Sequence, residues 1–387
     1  MDFSRLLSQQ TRAFQSPALR QVTLEVMKVN GVNLGQGVCN LPAPAYILEQ
    51  AHKAAEDGIN RYTNPRGLAL LREALSRKLA HFNQIEADPG KNIMVTCGAT
   101  GAFEGVCGVL LNPGDEVIVF EPSYPYHMQA LKRYQANVKV ISLKAPNWEI
   151  DFEQVRNALT DRTKFILINT PGNPTGRIFS RAELDQFAEI IDSTNCLLVT
   201  DEIYEYMTFN GVKHLSPASI PSLKDRTITM GGYSKTFSIT GWRIGYAVVP
   251  EPMAEAMAAF LDAVYVCPPA PLQQAVADGI NEFGDEFYSN LCEKYQSKRD
   301  YFVAELAKIG LDPLNPAGAY YMICSYERAF PGISSAEFVA RMIRETGVGG
   351  VPSSDFVQDH ENARWVRFCL ANEDDVLEDA IQRLQRL

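Results

Sequence analysis

Residues 165–176 read Phe165-Ile166-Leu167-Ile168-Asn169-Thr170-Pro171-Gly172-Asn173-Pro174-Thr175-Gly176, and after a helical pattern over 180–194 the chain continues Leu197-Leu198-Val199-Thr200-Asp201-Glu202-Ile203-Tyr204. Short, unbroken apolar runs separated by a helix mark parallel strands buried on both faces; a strand with one wet face would alternate polar and apolar residues. The same texture extends outward. Apolar runs fall at 93–96, 117–120, 227–230 and 244–248, with helical patterns at 45–56, 67–82, 100–110, 124–135 and 151–159. The chain therefore predicts an α/β fold with a mainly parallel sheet covered by helices. Past Pro250 a mostly helical stretch runs to about Ile309, interrupted by Pro268-Pro269-Ala270-Pro271, which reads as a hinge or domain boundary. Strand-like pieces at 319–324 and 365–370 then alternate with helices at 335–345 and 373–386, which reads as a smaller α+β domain.

Composition narrows the function classes. The chain has 387 residues, 46% hydrophobic and 21% charged, enough to bury a large core or two. A net charge of -10 argues against nucleic acid or an anionic membrane as default partner. Eight scattered cysteines without a CxxC pair read as buried thiols in a reducing compartment. The five histidines lack metal-ligand spacing, so no metal is expected. Neither a signal-peptide core nor a membrane-length apolar run is present, and the expected location is the cytoplasm.

In an α/β sheet, ligands collect at the carboxyl ends of the strands. After the run at 93–96, Cys97-Gly98-Ala99-Thr100 opens a helix whose free N–H groups and dipole suit a phosphate. After 117–120, Tyr124 offers a ring to stack on a flat heterocycle. After 165–168, two prolines and two glycines hold the Asn173 amide rigidly. After 197–200, Asp201 needs a cation to offset its desolvation, which a protonated pyridine nitrogen supplies, and Tyr204 can donate to a ring oxygen. Each has a plainer reading alone: a tight turn, an aromatic packed on a proline loop, a helix N-cap.

The stretch Ser234-Lys235-Thr236-Phe237-Ser238-Ile239-Thr240-Gly241-Trp242-Arg243 joins them. A lysine among small and aromatic residues loses its proton more readily, and a neutral amine attacks a carbonyl to form a Schiff base. Arg243 then serves as an anion clamp. A phosphate cradle, a stacking ring, an amide, an acid with a tyrosine, and a lysine with an arginine are the complements of pyridoxal 5′-phosphate (PLP).

Over essentially its whole length the chain resembles the fold-type-I PLP enzymes, specifically the class I/II aminotransferases, on Asn173-Pro174-Thr175-Gly176, Asp201-Glu202-Ile203-Tyr204, Ser234-Lys235 and Thr240-Gly241-Trp242-Arg243. The resemblance implies a large PLP-binding domain over 45–271 and a small domain built from 1–44 and 272–387. It implies that Lys235 carries the cofactor and moves the proton between Cα and C4′, with Asp201 on the pyridine nitrogen, Tyr204 and Asn173 on the ring oxygen, and Tyr124 stacked on the ring. Gly98, Ala99, Thr100, Ser234 and Arg243 would hold the phosphate. Asn33-Leu34-Gly35-Gln36-Gly37 resembles the segment that closes over substrate, with Gly37 near its carboxylate, and Val366-Arg367-Phe368-Cys369 resembles the motif whose arginine grips that carboxylate. Asn60-Arg61-Tyr62-Thr63 resembles the segment in which a tyrosine reaches the partner subunit's phosphate, which implies a homodimer completed by Tyr62.

One subgroup acting on dicarboxylates carries a lysine where this chain has Thr100, and its absence weakens an aspartate specialisation without excluding it. The wording of 33–37 is closer to the kynurenine, glutamine and methionine branch. The resemblance therefore implies ping-pong transfer of an amino group from a neutral, sulfur-containing or aromatic L-amino acid to a 2-oxo acid. A C–S β-lyase on the same fold would use the same Lys235, Asp201 and Arg243. A non-catalytic ligand sensor of this fold would need a DNA-binding appendage, for which the acidic chain leaves no room before the family-like pattern begins near residue 30.

Overall fold

The computed structural model describes residues 3–8 and 18–387; residues 1, 2 and 9–17 of the expected N-terminal segment lie outside the described residues. The large sheet comprises β1 (Ile93–Cys97), β2 (Glu116–Glu121), β3 (Asn137–Ser142), β4 (Thr163–Asn169), β5 (Leu197–Asp201), β6 (Thr227–Gly232) and β7 (Ile244–Val248). Its order is β1-β7-β6-β5-β4-β2-β3, with β7 antiparallel to both neighbours and the other pairs parallel. β1, β2 and β4–β6 therefore end at one edge, and the turns leaving that edge lead to the candidate residues.

Period-two alternation splits each central strand between two cores. Val117, Val119, Phe165, Leu167 and Val199 pack on one face with Phe103 and Met257, while Ile118, Phe120, Ile166, Ile168 and Leu198 pack on the other with Leu184 and Phe187. That is why these strands read as continuous apolar runs. Helix Arg181–Ile191, which covers the second face, starts with a capping box between Ser180 and Glu183.

A four-stranded antiparallel sheet is formed by β8 (Asp312–Leu314), β9 (Tyr321–Ser325), β10 (Val351–Pro352) and β11 (Trp365–Cys369), in the order β10-β11-β9-β8. Its core joins Met322, Val366 and Phe368 to Phe302, Phe338, Met342 and Leu377, and also to Val22 and Val26 of helix Ala18–Lys28. The segment after that helix pairs with the distal part of the chain, Val32 and Asn33 running parallel to Val348 and Gly349. Helix Ala270–Glu282 packs differently: Ala275 and Val276 share a cluster with Ile47, Leu71, Val95 and Tyr246.

Candidate active site

The β4–β5 register sets Asn169 opposite Asp201, the last residues of their strands, and that of β5–β6 sets Asp201 opposite Met230, two residues before β6 ends. Asn169 locks this edge: its Nδ2 donates to the Asp201 carbonyl at 2.8 Å, and its Oδ1 accepts from the Asn173 backbone N–H at 2.6 Å. A cavity of about 520 Å³ opens here, and its walls include Gly37, Ala99, Thr100, Tyr124, Asn173, Asp201, Tyr204, Ser234, Lys235, Arg243 and Arg367. Residues spread over more than 300 positions thus meet in one space.

Lys235 projects from the turn after β6 and donates from Nζ to the Gly37 carbonyl at 2.8 Å. Burial lowers its pKa from the ordinary 10.5 to about 8, with Arg243 and Arg367 pushing the same way. A useful fraction of this amine is neutral at physiological pH, as nucleophilic attack on an aldehyde requires.

Asp201 is buried, with Oδ1 accepting from the Ile203 N–H at 3.2 Å and Oδ2 lying 3.1 Å from His127 Nε2. His127 sits three residues after Tyr124 on helix Pro125–Arg133, its ring edge-on to Tyr124 at 5.2 Å and tilted against Phe103 at 4.7 Å. The Tyr204 hydroxyl donates to that of Tyr321 at 3.0 Å, and burial pushes its pKa well up, so it stays a neutral donor. His127 and Tyr321 are the two residues that sequence reasoning missed. A histidine one helical turn past the stacking tyrosine was the available signal for the first.

Also at the cavity wall, helix Gly98–Leu110 begins without a side-chain cap, leaving its first N–H groups free. Gly245 lets β7 pass close beneath: a Cβ there would lie 2.4 Å from the Gly98 carbonyl carbon and 2.6 Å from the Ala99 nitrogen. Gly98 itself has φ +71°, and a Cβ on it would meet the Arg243 guanidinium at 2.5 Å, so the arginine lies across the start of the helix. Arg243 also holds a positive φ of 58° and donates from Nη1 to the Thr240 carbonyl at 3.0 Å. A left-handed arginine is uncommon and concentrates strain at this point.

Arg367 comes from β11. Its guanidinium lies over the ring of Tyr321 at 4.2 Å and that of Phe356 at 4.9 Å. Nη1 donates to Asn173 Oδ1 at 2.9 Å, Nη2 donates to the Gly35 carbonyl, and the buried Nε has no partner. An unpartnered guanidinium N–H between two rings keeps hydrogen-bonding capacity that suits an anion. Tyr62 stands apart from the others: it is 84% exposed and does not line the cavity. Gly98 contributes through backbone shape under Arg243 rather than as wall.

The residues fit PLP. Free helix N–H groups and Arg243 suit its phosphate, the buried Asp201 carboxylate suits a protonated ring nitrogen, Tyr124 provides a ring face, and Lys235 provides the amine. Lys235, Arg243 and Arg367 outnumber Asp201 among the charged cavity residues described, an excess that a phosphate and a substrate carboxylate would balance.

Behind this site lies a buried ionic group. Lys78 Nζ donates to Glu205, to Asn83 Oδ1 at 2.8 Å and to the Tyr246 hydroxyl at 3.1 Å, while His214 Nε2 lies 2.6 Å from Glu202 Oε2. Ligand atoms of Glu202, Glu205 and His214 fall within 4.8 Å of one another, but the Lys78 ammonium already supplies positive charge there.

The model for the family "Aminotransferase class I and II" matches residues 29–384. The chain is 31% identical over 378 residues to human kynurenine–oxoglutarate transaminase 3, covering 90% of this chain and 83% of that protein. It is 32% identical to the aspartate aminotransferase of Pyrococcus abyssi, covering 92% and 91%. Its structure superposes on an Escherichia coli protein with a methionine aminotransferase function at a TM-score of 0.94 and 28% identity, covering 98% and 99%. The chain belongs to the class I and II aminotransferases, and is a PLP-dependent enzyme that passes an amino group from an amino acid to a 2-oxo acid.

Proposed function

We propose that this aminotransferase prefers L-amino acids with neutral, sulfur-containing or aromatic side chains over aspartate. The names of its relatives do not rank these substrates, since kynurenine, methionine and aspartate enzymes match about equally. The cavity carries the argument. Among its described walls, Lys235, Arg243 and Arg367 are the cations, and each has a task at the cofactor or the α-carboxylate. Leu19, Gln36, Val38, Phe103, Tyr126 and Ile203 line much of the rest, with Thr100 at the helix start and His127 engaged by Asp201, so no described Lys or Arg is left for a side-chain carboxylate.

In this reading Arg367, with Asn173 and the Gly37 segment, holds the substrate carboxylate and fixes Cα near Lys235. PLP, when bound, accepts the electron pair left at Cα. Lys235 Nζ would take the Cα proton and return it at C4′ of the cofactor, a role its lowered pKa favours near neutral pH. The Asp201 carboxylate, oriented by His127, keeps negative charge against the ring nitrogen, and the Tyr204 hydroxyl donates to the ring oxygen. Ala99, Thr100, Ser234 and Arg243 anchor the phosphate.

The protein acts as a cytoplasmic homodimer in this proposal, with Tyr62 reaching the other subunit's site; the exposure of its ring is what such a role needs. The expected division into 45–271 and 1–44 with 272–387 is kept in outline, with its boundary at 271 moved outward. The packing of helix Ala270–Glu282 against Ile47 and Leu71 favours a large domain that extends through it.

The test compares kcat/KM for methionine, phenylalanine, kynurenine and aspartate with one 2-oxo acid acceptor. The expected result is at least a tenfold advantage for a neutral or aromatic donor. Aspartate as the best substrate would overturn the preference. A parallel assay with cystathionine separates the lyase chemistry, which would release pyruvate and ammonia without amino-group exchange.

A further inference from the structure

A second cavity, of about 270 Å³, lies outside the active site and shares no wall residue with it. It opens between helix Ala69–Lys78, with the π-helical turn Leu79–Asn83 that continues it, and the junction of helices Ala270–Glu282 and Asp285–Lys308. π-Helical turns are rare and recur at functional sites, because the wide turn re-aims side chains that a regular helix would direct elsewhere. This one sends Phe82 to the cavity wall and Asn83 inward to Lys78 and Glu205.

The floor is aromatic. Tyr206 is stacked on Tyr288 at 4.1 Å and tilted against Phe82 at 4.3 Å. The mouth is polar, bridged by His81 to Asp285 at 3.0 Å and by Arg77 to Asn281 at 2.9 Å. Two features set the charge of an occupant. The Lys78 ammonium already lies 5.4 Å from the Phe82 ring centre and 5.3 Å from that of Tyr206, so these rings carry one cation and would repel a second. Arg77 is exposed and pairs with no carboxylate among the described residues; its only described bond is to the Asn281 amide. A guanidinium bonded only to an amide, at the rim of an aromatic cleft, complements a planar ring bearing an acid group. The volume falls just below the ~300–1,000 Å³ typical of small-molecule sites, which limits an occupant to one ring and a short acid arm.

We propose that this cleft is a second small-molecule site that binds a monocyclic aromatic carboxylate, its ring against Phe82 and Tyr288 and its carboxylate on Arg77. The proposal does not depend on the substrate preference argued above. The turn that forms its floor also carries Tyr204, two residues before Tyr206.

The test is calorimetric titration of the PLP-loaded enzyme with 4-hydroxyphenylacetate, which has neither an amino nor an oxo group and is not turned over. Two binding events per chain are expected, one in the active site and one in the cleft. Arg77→Ala weakens one at least tenfold and leaves kcat/KM unchanged; Arg367→Ala weakens the other. Phe82→Ala weakens the same event as Arg77→Ala, which separates an aromatic-acid site from adventitious pairing with a surface arginine. A single event lost in Arg367→Ala, or two events indifferent to Arg77→Ala, would overturn the proposal.

Discussion

Replacing Lys235 by methionine should destroy activity and stabilise the cofactor-free protein, and the second effect can be sized. The lysine titrates near 8 in the folded chain against 10.5 in ordinary surroundings. At 1.36 kcal/mol per unit, holding its proton in the folded cavity costs about 3 kcal/mol. That is an upper figure, because the side chain keeps part of its surface exposed. The sign follows from proton counting. Between pH 8 and 10.5 the unfolded chain holds this proton and the folded chain has released it, so the lysine's contribution to stability rises with pH across that window. Below pH 8 both states are charged and the whole cost is felt; above 10.5 it vanishes. Methionine fills similar space without charge. The melting temperature of Lys235→Met relative to the parent, both stripped of PLP, should therefore be several degrees higher at pH 7 and converge towards pH 10.5. Comparing the two proteins at each pH cancels the titration of every other group. A difference that stays flat from pH 7 to 10.5 would refute the idea that burial, rather than cofactor chemistry, sets the lysine's pKa. Loaded with PLP, the same variant should show no covalently bound cofactor and no amino transfer; retained turnover would refute the role of Lys235 outright.

Three further outcomes follow. Arg367→Lys keeps the charge but loses the planar fork between Asn173 and Gly35, so kcat/KM should fall by about 100-fold with the cofactor spectrum intact; a change under threefold would remove Arg367 from carboxylate binding. Lys78→Met leaves Glu205 charged and buried, costing about 3–5 kcal/mol in stability, and adding Glu205→Leu should recover most of it; an equally unstable double variant would show that packing, not charge, is lost. Tyr62→Phe removes only an exposed hydroxyl, so it should leave melting unchanged while weakening PLP affinity; unaltered affinity in a dimer would exclude the cross-subunit contact.

What was legible in the sequence followed from local rules. Helix 45–56 and strands 93–97 and 197–201 stand where apolar periodicity places them. The chemistry at each strand end could be read because one short turn carries it. β3 (Asn137–Ser142) escaped notice because it lies at the sheet edge, where Asn137 and Ser142 are exposed and the apolar run breaks up. The reversal of β7 was equally hidden, since Ile244–Val248 is buried on both faces and an apolar run reads the same in either direction. His127 and Tyr321 were lost for another reason. Their partners, Asp201 and Tyr204, lie 74 and 117 residues away, and only the assembled sheet edge brings them together.

Arg367 shows why such long-range contacts matter to function rather than merely to packing. Its guanidinium is held by Gly35 from the N-terminal segment, Asn173 from the turn after β4, Tyr321 from β9, and Phe356 from the turn before β11. Gly37, two residues past Gly35, meanwhile accepts hydrogen bonds from both Lys235 and Tyr320. The carboxylate contact and the proton-carrying amine are thus tied to the same five-residue stretch, 33–37, which continues from the pairing of Val32 and Asn33 with Val348 and Gly349. A Cβ at Gly37 would approach the Tyr321 hydroxyl to 2.1 Å, and that hydroxyl also accepts from Tyr204. Any side chain at position 37 must therefore displace either the segment or Tyr321, and through them Arg367 or Tyr204. Substrate grip and cofactor contact would fail together, although residue 37 supplies only a backbone carbonyl to the described network.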